Sequence, residues 1–291
     1  QPIFRAGLNY KIAEGTNVRA SFGQAFRVPS VAERFANTSG GGILVEPNPS
    51  IQSERGYSAE FALRQGFRSE GAKWGIKGYL DLAAFMMQFD NMVEFGIKTR
   101  RIAFPQLDIR FSSINVADAR ILGSELTGML IAESRDKKTF ASFSGGVTWI
   151  EPTDLNAVPD SLQLDLVQFP SDIVNQDKTD QPPFLKYRSR WTIRGSASLG
   201  YHGLSLTANY RYKSFVQNID QYLFLVIDDL ADFRSRYPNG DHVMDFILAW
   251  EFDRRQTVSL TLDNAFNREY LIIPGLLAPQ RKFTLQYQVR F

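Results

Sequence analysis

RKFTLQYQVRF, residues 281–291, ends the chain and decides how it folds. Phe283, Leu285, Tyr287, Val289 and Phe291 share one parity, and Lys282, Thr284, Gln286, Gln288 and Arg290 share the other. Successive side chains of a strand leave opposite faces, so this segment is a strand with one apolar face and one polar or charged face. A soluble sandwich can contain one or two such strands. Here the pattern recurs.

Val258, Leu260 and Leu262 alternate with Ser259, Thr261 and Asp263; Leu204, Leu206, Ala208, Tyr210 and Tyr212 alternate with Ser205, Thr207, Asn209 and Arg211. The same holds for Trp191, Ile193, Ala197, Leu199 and Tyr201, for Tyr57, Ala59, Phe61 and Leu63, and for Val18, Ala20 and Phe22. The segments run about ten residues, the length that crosses a bilayer at a tilt, against about five or six for an average globular strand. Arg and Glu in mid-strand suit a wet lumen better than a protein core. Trp74, Trp149, Trp191, Tyr201, Tyr210 and Phe291 fall near strand ends, where a membrane interface would lie.

Bulk composition narrows the classes. Among 291 residues, 33 Lys and Arg nearly balance 31 Asp and Glu, for a net charge of +2, so no nucleic-acid partner is expected. Apolar runs such as 223–227 and 245–250 are too short for a helix across a bilayer. A barrel passes the same test, because alternation keeps mean hydropathy low. The absence of cysteine removes thiol catalysis, disulfide scaffolds and Cys-based zinc sites. The chain opens inside a strand-like pattern without a leader-type apolar segment, so it is expected to be a piece of a longer protein.

Connections fall into two classes that take turns. The short ones cover 11–16, 68–72, 133–137, 200–203 and 253–255; the long ones cover 25–54, 88–110, 151–187, 215–240 and 265–280. Short turns on one side and long loops on the other predict an antiparallel transmembrane β-barrel wall of about eleven strands. This parity requires 111–131 to be one long strand, with a bulge or kink near 119–122 where its alternation shifts. No linker divides the chain, so residues 1–291 are read as a single partial barrel domain with open edges.

Three segments carry a family resemblance. ASFGQAFRVPSVAE at 20–33, followed by EPNPSIQSERGYSAEF at 46–61, resembles a strand, an FR-x-P-S-like turn and an NP-x-L-x-PE-like stretch; Gln52 and Ser53 stand where a Lys–Pro pair is commoner. NVADARILGSEL at 115–126 is similar to N-x-x-x-A-x-I-x-G-x-E-L, and LDNAFNREY at 262–270 to N-L-F-N-x-x-Y before a terminal aromatic strand. In this order and spacing they resemble the C-terminal half of the β-barrel of TonB-dependent outer-membrane receptors. The resemblance implies a 22-stranded barrel plugged by an N-terminal domain that has no counterpart here, as the box that contacts TonB has none. It also implies a Gram-negative outer-membrane location and active uptake of a ferric siderophore, cobalamin or similar scarce solute, with outer-membrane lipid, the plug, TonB and the assembly machinery as partners.

The candidate residues each admit two readings. Phe291, with Phe283, Leu285, Tyr287 and Val289, is in this family the signal read by the assembly machinery, through strand addition at an edge; alternatively Phe291 only anchors the strand at the interface. Arg19, Glu60, Arg64, Arg194, Arg211 and Arg290, with Asp263, are lumen-facing and either meet the plug or line a solvated wall. Tyr222, Phe224 and Phe233, in a segment (215–240) apolar enough for a short helix or hairpin, either contact ligand or pack against neighbouring loops. The loop 151–187 concentrates acids, among them Asp154, Asp160, Asp165, Asp172, Asp177 and Asp180, without EF-hand spacing, and reads as a cation site or as a solvated loop. His202 and His242 are expected at opposite ends of the strands.

No cofactor or metal is expected, and no enzyme. A Ser–His or Asp–His constellation would need a histidine at the same rim. The alternative function is a passive, porin-like or structural outer-membrane barrel.

Overall fold

The computed structural model describes all residues except 1, 41–42, 104–105, 116–117, 156–183, 220–222, 254 and 291, and of 40, 43, 97–103, 106–109, 225–226 and 253 only the backbone. The wall is built from β1 (Arg5–Ala13), β2 (Thr16–Arg27), β5 (Glu54–Glu70), β6 (Trp74–Asp90), β9 (Ala119–Ser134), β10 (Thr139–Asp154), β11 (Trp191–Tyr201), β12 (Leu204–Lys213), β13 (Asp241–Asp253), β14 (Gln256–Asp263) and β17 (Lys282–Val289). Among the described residues these form one 11-stranded sheet in that order, and its ladders are all antiparallel. The expected strand number and the alternation of short and long connections both hold. No ladder joins β1 to β17 among the described residues.

Register turns alternation into two faces. Ile76, Ala132, Ala141, Leu199, Leu206, Leu248, Leu260 and Leu285 are directly opposed from strand to strand in one row. Leu130, Phe143, Ala197, Ala208, Phe246, Leu262 and Phe283 form the next. These rows do not end in a protein core: Leu199 is 63% exposed and Leu285 75%. A face this extended and apolar, with no protein layer on it among the described residues, is the reverse of a soluble sheet. Among the described residues no helix is long and apolar enough to cross a membrane, which says nothing of crossing by strands.

The opposite face is polar. Lys11, Asn17, Arg64, Asp81, Thr127, Gly146, Arg194 and Arg211 make one continuous cross-strand row. Arg19 forks onto Asp81 through two bonds, 2.8 and 3.1 Å, bridging neighbouring rows.

Two expectations are corrected. Residues 111–131 are not one strand. β8 (Gln106–Asn115) leaves the wall and pairs with β7 (Val93–Ala103), and on its other side with β4 (Ile43–Val45), itself paired to β3 (Thr38–Gly40). This small sheet lies within the long connections, as does the two-stranded hairpin of β15 (Leu271–Ile273) and β16 (Leu276–Leu277). Its strands alternate with the same period as the wall, so periodicity alone fuses β8 with β9. The bulge foreseen near 119–122 is likewise absent: β9 keeps an unbroken register with β6 and β10 through those residues.

Strand length also differs from ten. β5 and β6 have 17 residues, and β9 and β10 have 16. Trp74 opens β6 and Tyr201 closes β11, both at the short-turn rim, so the surplus length of these strands stands on the long-loop side. Trp149 is inside β10 rather than at its end, yet it pairs with Trp191, the first residue of β11, at 6.4 Å between ring centres.

Candidate functional site

All three motif segments lie at the long-loop rim, and their polar residues fasten the loops to the wall. In the first, Ser30 caps α1 (Val31–Phe35) with a reciprocal box: the Glu33 amide donates to Ser30 Oγ at 3.2 Å and the Ser30 amide to Glu33 Oε2 at 2.7 Å. Arg27, the last residue of β2, pairs with Glu33 at 2.7 Å and with Glu54, the first residue of β5, at 3.4 Å. Glu54 also accepts the Val93 amide at 2.9 Å. The Glu33 carboxyl is held below its ordinary range, first by the Arg27 guanidinium and then by the Ser30 amide.

The second motif reaches back to the first. Asn115 accepts the Gln52 amide at 2.8 Å and donates to the carbonyls of Gln52 and Asn91 at 3.1 and 2.8 Å. Asn48 donates to the Ser113 carbonyl at 2.9 Å, and Glu46 pairs with Arg110. Farther along the motif, Gly123 faces the Phe85 ring so closely that an added Cβ would lie 2.4 Å from it.

The third motif is a buried turn. Asn264, 3% exposed and at φ 47°, receives the Arg268 amide at 2.8 Å and donates to the carbonyls of Arg268 and Pro279 at 2.9 and 3.3 Å. Its own amide donates to Asp245 of β13 at 2.7 Å. Asn267, also left-handed at φ 50°, accepts the Arg281 amide at 2.9 Å. Asn adopts this backbone region at small cost, which is why Asn stands at both positions.

Between the rims, the polar face carries a hollow of ≈ 650 Å³ lined by residues that include Glu125, Thr127, Ser144, Thr148, Arg194 and Arg211. Arg194 and Arg211 are directly opposed on β11 and β12. Arg211 reaches Asp245 at 3.3 Å. Two guanidiniums opposed across a ladder repel each other, and Asp245 offsets one of them.

The segment 215–240 forms two short helices, α2 (Leu223–Val226) and α3 (Leu230–Arg236), as its apolar run predicts. Arg234 is stacked over Phe215 at 4.3 Å, lies 6.0 Å from Phe224, and donates to the Val216 carbonyl at 3.0 Å. Phe233 packs on Tyr237 at 4.8 Å. Phe224 and Phe233 are both half-buried, and Tyr222 lies outside the described residues.

Residues 3–267 match the family described as "TonB dependent receptor-like, beta-barrel". The chain belongs to the TonB-dependent receptor β-barrel family. The family is one of receptors and transporters. Among solved structures, the fold of this receptor barrel is similar to a copper transporter, OprC, at TM-score 0.60 and 15% identity, over 99% of this chain and 39% of that one. It is similar to the hemophore receptor HasR of Serratia marcescens in complex with its hemophore HasA and heme, at 0.59 and 16%, over 99% and 39%. A third is the siderophore receptor PirA of Acinetobacter baumannii, at 0.57 and 11%, over 99% and 41%. The chain thus spans about two-fifths of the length of these structures. No curated protein matches the sequence.

On this receptor barrel the residues singled out from sequence divide by place. Arg19, Glu60, Arg64, Arg194 and Arg211 share the polar face by register. Arg290 follows β17 with the parity of Gln288, its amide donating to the Arg255 carbonyl at 2.8 Å; Asp263 meets Lys282 at 3.6 Å. Phe283, Leu285, Tyr287 and Val289 lie on the apolar face, and Phe291 lies outside the described residues. So do Asp160, Asp165, Asp172, Asp177 and Asp180. His202, in the β11–β12 turn, and His242, bonded to Tyr210 Oη at 2.7 Å beside the long loops, stand at opposite ends of the strands.

Sequence reading missed the role of Asn115, Asp245, Asn264 and Arg268 as loop fasteners. Asn264 and Asn267, three apart in a turn, carried the one local signal, a left-handed turn.

Proposed function

We propose that this chain is a wall segment of an outer-membrane TonB-dependent transporter that takes up a ferric siderophore, cobalamin or a similar scarce solute. The observation that carries it is the two-faced sheet: apolar cross-strand rows with no protein cover among the described residues on one side, and on the other a polar hollow with ion pairs across rows. Lipid satisfies the first face and water the second. Eleven strands in about two-fifths of the length of the similar structures fit half of a 22-stranded wall. Residues 1–291 then make one barrel domain, in a multi-pass Gram-negative outer-membrane protein.

Each group has a place in this reading. Arg19, Glu60, Arg64, Arg194, Arg211 and Arg290 face the lumen, where a plug domain supplies counter-charges and TonB supplies the pull. Tyr222, Phe224 and Phe233 stand in an external loop, where aromatic faces receive the solute. Phe283, Leu285, Tyr287, Val289 and Phe291 present alternate apolar side chains to the assembly machinery, which recognises strands by augmentation.

Growth of a strain deleted for the full gene, on single iron sources and on cobalamin, tests the proposal. Loss of growth on one of them identifies the solute. Unchanged uptake of all, with small-solute leak through the purified protein in liposomes, would instead identify a passive pore.

A further inference from the structure

We infer that three neighbouring short turns form a binding patch for an anionic phospholipid headgroup, the occupant being the leaflet on the short-turn side of the membrane. The inference rests on the membrane reading above.

The patch is built by adjacency. Strands β6, β9, β10 and β11 are consecutive in the sheet, so their hairpin ends meet. The Arg135 amide donates to the Lys73 carbonyl at 3.0 Å, and the His202 amide to the Lys138 carbonyl at 2.8 Å. Lys73, Arg135, Lys137 and Lys138 are therefore displayed by turns that touch, and all four are exposed. Three acids lie nearby. Asp136 accepts Ser134 Oγ at 2.6 Å and the Lys138 amide at 3.1 Å, which ties its carboxylate into its own turn. Glu70 pairs with Arg68, and Glu133, opposed to Gly75 and Phe140, has the parity of the polar face.

What lies beside these cations identifies the partner. Trp74 follows Lys73, and Tyr201 precedes His202; they are 40% and 65% exposed on the apolar face. Tyr201, Leu204, Trp250, Val258 and Tyr287 form one cross-strand row there. An aromatic row of this kind marks the headgroup level. A lysine one residue beyond it is about 3.3 Å farther out, where lipid phosphates lie. Ammonium groups bind phosphate as point charges, and basic pockets at this depth select anionic headgroups. The rim is not uniformly basic: the β1–β2 turn presents Glu14 and Gly15.

The test uses the intact receptor that carries this wall, refolded into vesicles of phosphatidylcholine alone or with a minority of phosphatidylglycerol. Protease protection reports insertion, and native mass spectrometry after detergent extraction reports retained lipid. The wild type is expected to insert and to carry phosphatidylglycerol over phosphatidylcholine. Neutralising Lys73, Lys137 and Lys138 to Gln should lower that preference by roughly fivefold per charge, while Lys282→Gln at the opposite rim leaves it unchanged. Equal retention by wild type and triple variant overturns the headgroup site while leaving the membrane reading intact. Release of the lipid by inorganic phosphate alone overturns it as well, showing a free-anion site. Failure of the intact receptor to insert into either vesicle sinks both readings together.

Discussion

Asn115 and Gln52, 63 positions apart, exchange two hydrogen bonds: the Gln52 amide donates to Asn115 Oδ1 at 2.8 Å, and Asn115 Nδ2 donates back to the Gln52 carbonyl at 3.1 Å. A side-chain amide here imitates a strand neighbour for a stretch of loop that has none. It joins two motif segments that lie on different long connections and holds both against the end of the wall.

Asn115→Ala removes all three side-chain bonds of this residue. Because the site is partly solvated, the cost should be about 1–2 kcal/mol and local. Hydrogen exchange at residues 46–54 should quicken, while the β5 and β6 amides in the wall keep their protection. Equal acceleration of both would show that the contact holds the wall as well as the loop.

Asn264 is the more severe case. It is buried, left-handed and bonded to two carbonyls and one amide. Asn264→Ala should cost about 2–4 kcal/mol, combining unsatisfied buried groups with a strained backbone. Asn264→Asp keeps the Arg268 amide bond and tolerance of the backbone, so thermal unfolding in detergent should rank it between wild type and Ala. An Asp variant no better than Ala would mean that the two donated bonds carry the turn.

Glu33 makes the α1 cap pH-dependent. Its carboxyl is held below the ordinary 4.5, chiefly by Arg27 and then by the Ser30 amide. A depressed folded value gives stability that is fully present above 4.5 and is lost as pH falls through the folded value. With the Glu33 side chain 25% exposed and that of Arg27 44%, the pair is partly solvated and the effect should be about 1 kcal/mol or less. Exchange of the α1 amides should rise on acidification in wild type, and Glu33→Gln should flatten that dependence.

The two faces can be told apart by one charge. Ala197 lies in the middle apolar row and Ser196 lines the polar hollow. Ala197→Arg should destabilise the protein in lipid by about 2–4 kcal/mol, whereas Ser196→Arg should be nearly neutral. Equal effects in an equilibrium folding titration into vesicles would remove the basis for a lipid-facing side.

Which parts were legible follows from where the physics is local. Alternation over 281–291, 258–263 and 204–212 is a property of single strands, so the faces of β12, β14 and β17 could be read residue by residue. The taking of turns by connections then set the strand number. β7 and β8 broke that reading because a hairpin carried in a loop alternates with the same period as a wall strand. The one mark in 111–131 of where β8 gives way to β9 is the shift of alternation near 119–122, and a shift of parity reads equally as a bulge within one strand.

The sequence by itself determined an alternating, cysteine-free wall with one apolar and one polar face, because side-chain parity needs no partner to be defined. The tertiary structure decided the rest. Which strand faces which, that Arg194 opposes Arg211, and that Asn115, Asn264 and Glu33 clamp loops are contacts across tens of residues. The register of 281–291 against β14, which aligns Leu285 with Leu260, comes from pairing two strands, and neither strand contains it alone.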